Sequence, residues 1–271
     1  MTVVARSSVS LASRARHRLR THVSEYPSLY LPFARRKYPG PSPEVISLQT
    51  ELVIDGYTRS ATTFAVYALQ LSQERPVRLA HHLHAPAQLI EAARRGVPAL
   101  VLIREPREAI LSQVAREPWV TVAGALIAYS RFYACLHPYR ERFVVGEFEQ
   151  VTHDFGAVVR RLNARFGTSF AEFTHTEASV RECLEFARLR GTLSATLLGF
   201  ESGVVSRAEL GDALAGLRAS KSLEDREAWV PSANREDTKA LLGQEWTRPS
   251  LAVLRKRAET IYRNFVGMER G

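Results

Sequence analysis

Arg59, Ser60, Thr62 and Thr63 place four side chains able to hold an anion within the five residues 59–63. The β-favouring Leu52, Val53 and Ile54 and the turn signal Asp55-Gly56 precede them. After them, Phe64, Ala65, Tyr67, Ala68, Leu69 and Leu71 read as an apolar helix. A strand, a tight turn and a helix start make an anion site. The first amides of a helix have no partner within it and sit at the positive end of its dipole. Thr62 and Thr63 add hydroxyls, and Arg59 adds charge. A triphosphate loop of the GxxxxGK(S/T) type would put glycine at 61 and lysine at 62, where the chain has Ala61 and Thr62. The lysine that reaches the β- and γ-phosphates in kinases and ATPases is therefore absent from its place.

Two further clusters stand at the ends of apolar runs. Ala99–Ile103 (ALVLI) has the uniform apolarity of a parallel strand buried on both faces. It runs into Arg104, with Pro106 at the first helical position and Ser112 eight residues after the arginine. His81, His82 and His84 lie around the end of an expected strand, Val77–His82. On a strand, 82 and 84 share one face and 81 faces away. No cysteine or carboxylate adjoins them in the sequence to complete a metal site.

The elements that must position these residues alternate. Strands are expected near Glu51–Asp55, Val77–His82, Ala99–Ile103 and Phe143–Gly146. Helices are expected from the 56–63 loop to Gln73 and over Ala87–Arg95, Arg107–Val114, Trp119–Leu136, Phe155–Phe166, Ala178–Leu189, Arg235–Leu242 and Leu251–Phe265. The alternation predicts an α/β fold: three layers, P-loop-like, with a central, mostly parallel sheet flanked by helices. Both polar strand ends should then open on the carboxyl edge of that sheet, where such folds bind ligands. Residues 1–48 are expected to form a basic N-terminal helix and an irregular arm over Tyr26–Pro43, and 49–271 the α/β domain. Residues 191–206 read as a loop, and 207–230 carry little pattern.

The chain has 271 residues, 45% hydrophobic and 24% charged, as in globular proteins, with a formal charge of +9. Only Lys37, Lys221, Lys239 and Lys256 of its 37 basic residues are lysine. The charge points to anionic partners. Two lone cysteines, Cys135 and Cys183, argue against a disulfide scaffold or a cysteine zinc site and fit a reducing, cytoplasmic compartment. Neither a secretory leader nor an apolar run of membrane-spanning length is read. Arg6, Arg14, Arg16, Arg18 and Arg20, with Val9, Leu11, Ala12, Ala15 and Leu19, leave a peripheral membrane contact open, with packing on the chain's own domain the simpler expectation.

Arg59-Ser60-Ala61-Thr62-Thr63, followed by Arg104, Pro106 and Ser112, resembles the two nucleotide motifs of the sulfotransferases that use 3′-phosphoadenosine-5′-phosphosulfate (PAPS). Their first motif reads (K/R)SGTT after the first strand, and their second reads RxP with a serine on the following helix. FVVGEFEQV (143–151), with Glu147, resembles a third, weaker element. The resemblance covers roughly 50–165. It departs at Ala61, where the family has glycine, and in the C-terminal third, where no RKGxxGDW-like segment stands; Arg235 in VPSANREDTK is the substitute offered. The resemblance implies that Arg59, Ser60, Ala61, Thr62 and Thr63 hold the 5′-phosphosulfate and that Arg104 and Ser112 hold the 3′-phosphate. It implies a catalytic role for Arg59, at the leaving phosphate oxygen, and for a base. His82 stands where a THLP-like histidine would, 22 residues before Arg104, with His84 as rival and a glutamate in some members.

The activity so implied is sulfuryl transfer from PAPS, as co-substrate and without a metal, to a hydroxyl or amine of a small-molecule, carbohydrate or lipid acceptor. A P-loop nucleoside-triphosphate enzyme of the kinase kind and a non-catalytic nucleotide-binding scaffold are the other classes left open. No nucleic-acid motif is read.

Overall fold

The computed structural model describes residues 11–40, 42–192, 194–211, 214 and 233–267. The strands are β1 (Leu52–Gly56), β2 (Leu79–His81), β3 (Ala99–Ile103) and β4 (Val144–Glu147), in spatial order β2-β1-β3-β4 and all parallel. Successive residues of each strand face opposite ways, and both faces are apolar. Val53, Val101, Ile103 and Val145 pack into one half of the core. Leu52, Ile54, Leu100, Leu102 and Val144 pack into the other.

Helices cover both faces. The first half of the core takes α2 (Pro27–Lys37), α4 (Pro86–Arg95), α5 (Pro106–Arg116), α6 (Val122–Leu136) and the two later helices Ala233–Trp246 and Ala252–Gly267. The second takes α3 (Thr62–Ser72), α8 (Phe155–Phe166), α9 (Glu177–Leu189) and α10 (Ala195–Glu201). The short α7 (Phe148–His153) follows β4, and α1 (Leu11–Val23) lies on α6. The fold is thus α/β with three layers, as the alternation predicts, and the Ala99–Ile103 strand and Phe155–Phe166 helix lie where the pattern puts them. Local chemistry sets the helix ends. The Glu105 carboxylate caps α5 by accepting the Glu108 N–H at 2.9 Å, and Thr121 caps α6 by accepting that of Gly124 at 3.0 Å.

Three expectations change. The arm over Tyr26–Pro43 contains α2, because Pro27 opens a helix whose Tyr30, Leu31 and Ala34 bury one face against α4. The expected loop 191–206 contains α10, held by buried Leu197, Leu198 and Phe200. The strand expected over Val77–His82 is only three residues long and stops at His81. Most of 207–230, where the sequence showed little pattern, lies outside the described residues.

β3 comes close to β1 at Gly56, where a Cβ would stand 2.2 Å from the Leu102 carbonyl oxygen. Gly56→Ala must part the two central strands. It is expected to cost about 3 kcal/mol or more in urea unfolding; an unchanged midpoint would show that they part freely.

Candidate functional site

In the order β2-β1-β3-β4 the chain leaves β1 first to one side, for β2, and then returns to the other, for β3. The loops after β1 and β3 therefore diverge and open a crevice at the carboxyl edge. The first loop, 57–61, turns sharply into α3, with Arg59 and Ala61 both at φ 69°. Ala61 is the residue before the first turn of α3. The first bond within the helix is from Ala65 N–H to the Ala61 carbonyl, at 3.0 Å. The amides ahead of it have no carbonyl in the helix to meet. The Thr62 hydroxyl is buried beside them with no hydrogen-bond partner among the described residues. Ser60 is fully buried.

The second loop comes to meet the first. Arg59 Nε donates to Ser112 Oγ at 3.0 Å, across 53 residues of sequence, and Arg104 Nη1 approaches the Arg59 carbonyl at 3.4 Å. The Arg104 guanidinium lies 3.8 Å from the centre of the Phe148 ring and 3.7 Å from Glu108, while Tyr129 donates to its carbonyl at 2.7 Å. Arg59, Ser60, Ala61, Thr62, Thr63, Arg104 and Ser112 thus stand around one helix start. Glu147 accepts from Tyr262 at 3.2 Å. The side chain of Arg235 is outside the described residues.

Below the loop lies Asp55, fully buried. Its carboxylate accepts from Gly56 N–H at 2.9 Å, His84 N–H at 3.0 Å and Gln88 Nε2 at 3.2 Å. The bond to the His84 amide helps hold His84 at φ 48°, and His82 is at φ 58°. Neither lies on a strand, so the alternation that put 82 and 84 on one face does not apply.

The histidines instead divide by partner. His82 Nε2 is 3.0 Å from Thr63 Oγ1 and its Nδ1 is 2.7 Å from His81 Nδ1, so both nitrogens are engaged. Burial, with Arg190, holds His82 well below the usual imidazole range and lowers His81 to about 3. His84 Nδ1 is 2.9 Å from the Gly56 carbonyl, which makes it the protonated nitrogen and leaves Nε2 outside these bonds. The His84 ring lines a pocket of about 80 Å³ with Thr58, Tyr57 and Phe132, under His17 and Arg20 of α1.

Behind the site, α10 brings Glu201 to His81 and His82, their ligand atoms all within 4.8 Å. A carboxylate thus adjoins the histidines in space, although none does in the sequence. Its Oε1 accepts from Arg190 Nε at 2.7 Å and from the Tyr67 hydroxyl at 2.5 Å, while Oε2 is buried with no hydrogen-bond partner among the described residues. Both cysteines are free, and burial raises each thiol to about 12.

Sequence reasoning missed Asp55, taken for half of a turn signal, and Lys239, whose ammonium lies 3.8 Å from Glu108 beside Arg104. It also missed the pocket-lining His17 and Arg20, legible only as a polar i, i+3 pair on a basic helix.

Burial of two neutral imidazoles couples stability to pH. Below the ordinary histidine value of 6.5 the unfolded chain binds protons that folded His81 and His82 refuse. Stability should therefore fall as pH drops from 6.5, by about 1.4 kcal/mol per pH unit for each histidine. Glu201 works in the opposite sense nearer its ordinary 4.5, because burial raises its pKa above that value. Urea unfolding at stepped pH should show the slope, and His81→Gln should flatten it.

Comparison with protein-family models, with curated proteins and with solved structures returned no match.

Proposed function

We propose that this chain transfers a sulfuryl group from PAPS to a hydroxyl or amine. One observation carries the reading: Arg59 of the loop after β1 meets Arg104 and Ser112 of the β3–α5 segment at the amide end of α3, at the crevice between β1 and β3. That arrangement supplies two anion sites a short distance apart. The α3 amides, Arg59, Thr62 and Thr63 would hold the phosphosulfate, and Arg104 with Ser112 the 3′-phosphate. Two fixed arginines suit two such groups, and the buried Thr62 hydroxyl is satisfied by an incoming oxygen.

In the reaction, the acceptor oxygen or nitrogen attacks sulfur as the bond from sulfur to the bridging phosphate oxygen breaks. Adenosine 3′,5′-bisphosphate leaves, its new charge met by Arg59 and the loop amides. Fixed donors of this kind contribute on the order of 3 kcal/mol each. The acceptor's proton passes to a histidine. His82, which the sequence favours, has both nitrogens occupied. His84 has Nδ1 on the Gly56 carbonyl, Nε2 available and its ring in the pocket beside Thr58. We therefore assign the base to His84, with His82 positioning Thr63.

Calorimetric titration tests the nucleotide. Adenosine 3′,5′-bisphosphate should bind without metal, and Arg104→Ala should weaken it about tenfold to a hundredfold, the loss of a charged hydrogen bond. Binding of ATP with Mg²⁺ in its place would favour a triphosphate enzyme, and binding of neither a scaffold. For the base, His84→Ala should lower sulfuryl transfer at least about a hundredfold with bisphosphate affinity kept. Normal turnover in that variant, with loss in His82→Ala, would return the role to His82.

A further inference from the structure

The N-terminal helix is inverted. Its inner side, at the four-residue spacing of one helix face, is polar: Ser13, His17 and Thr21, continued by Ser24 and Arg20. His17, Arg20, Thr21 and Ser24 line the pocket, and Arg20 donates to the Leu83 carbonyl at 3.2 Å. The outer side carries Leu11, Ala15 and Leu19, interleaved with Arg14 and Arg18. A turn at 24–26 leads to α2, whose outer stripe is Tyr26, Leu29 and Phe33, ending at Arg36 and Lys37.

These side chains are open to water: Leu11 82%, Leu19 66%, Leu29 62%, and Tyr26 and Phe33 55%. Half of the ten exposed large hydrophobics among the described residues lie on these two helices and the turn between them. Around them stand exposed Arg14, Arg16, Arg18, Arg35, Arg36 and Lys37. The single acid of this segment, Glu25, is already bound to Arg131 at 2.6 Å. Apolar tips among uncompensated cations match a surface that is apolar just beneath an anionic layer. No described helix is long and apolar enough to cross a membrane, so the contact lies in the plane of the interface.

We propose that the outer faces of α1 and α2 dock the protein on an anionic lipid bilayer, with the arginines at the headgroups and Leu19, Leu29 and Phe33 among the upper acyl chains. This surface lies on the far side of α1 from the pocket, so the proposal stands or falls apart from the proposed reaction.

The full chain is sedimented with vesicles of phosphatidylcholine alone and with about 30 mol% phosphatidylglycerol. Binding to the anionic vesicles should be at least tenfold tighter and should weaken at about 0.5 M salt. Arg14→Glu with Arg18→Glu, and separately Leu29→Glu with Phe33→Glu, should each reduce it tenfold or more. The replaced side chains are exposed, so thermal midpoints should stay within about 2 °C of the parent's. Equal binding to neutral vesicles, or anionic binding unchanged in both variants, overturns the proposal. So does a lipid-free dimer in sedimentation velocity that the Leu29→Glu, Phe33→Glu variant abolishes, since the face would then belong to a second copy.

Discussion

A carboxylate sealed from water must be met by donors, and Asp55 meets its own from three segments. The Gly56 amide fixes the end of β1. The His84 amide pins the turn after β2. Gln88 reaches it from α4 and, through its own oxygen, accepts the Ile46 N–H at 3.0 Å, which ties in the chain ahead of β1. The strained backbone at His82 and His84 is held by these bonds and by the packing of Leu83 and Ala85, both buried. Neutralising Asp55 would therefore act on the 57–61 loop and on the histidines together.

The parts of this architecture that the sequence displays are those in which one local rule governs. Ala99–Ile103 is apolar at every position, of strand length and closed by Gly96 and Pro98 ahead of it, and it is a strand buried at every residue. Phe155–Phe166 ends at Gly167, which takes φ 66° as a helix stop does. The loop at 59–63 is legible for the same reason: the polar string stands between a strand and a helix, and the fold brings Ser112 to Arg59 at 3.0 Å. Ala61 also becomes intelligible. Its φ of 69° is a left-handed position that glycine takes freely, and alanine holds it here at some cost.

The parts the sequence hid are set by long-range contact. Helix α10 has seven residues and weak signals of its own, and it exists because Leu197, Leu198 and Phe200 find the core. Glu201 then lands beside His81 and His82 although 119 residues separate it from His82. No spacing rule reveals such a neighbour. The histidines misled for a different reason. Period-two alternation holds only while the strand lasts, and β2 ends at His81. Beyond it, positive φ turns His82 inward to Thr63 and leaves His84 in the pocket.

The two arginines of the crevice show why this site differs from a triphosphate loop in more than a missing lysine. A lysine is a flexible point charge that can follow a phosphate, commonly with a metal sharing the load. Arg59 and Arg104 are held before any ligand arrives. One is bonded to Ser112; the other is stacked on Phe148 and drawn toward Glu108, which Lys239 also neighbours. Side chains fixed in this way lose little entropy on binding and discriminate by distance between anions. The restraint on Arg104 comes from Glu108 of α5 and from Phe148 after β4. How Arg104 is held is thus a property of how separate segments pack, and only Arg104 itself belongs to a motif.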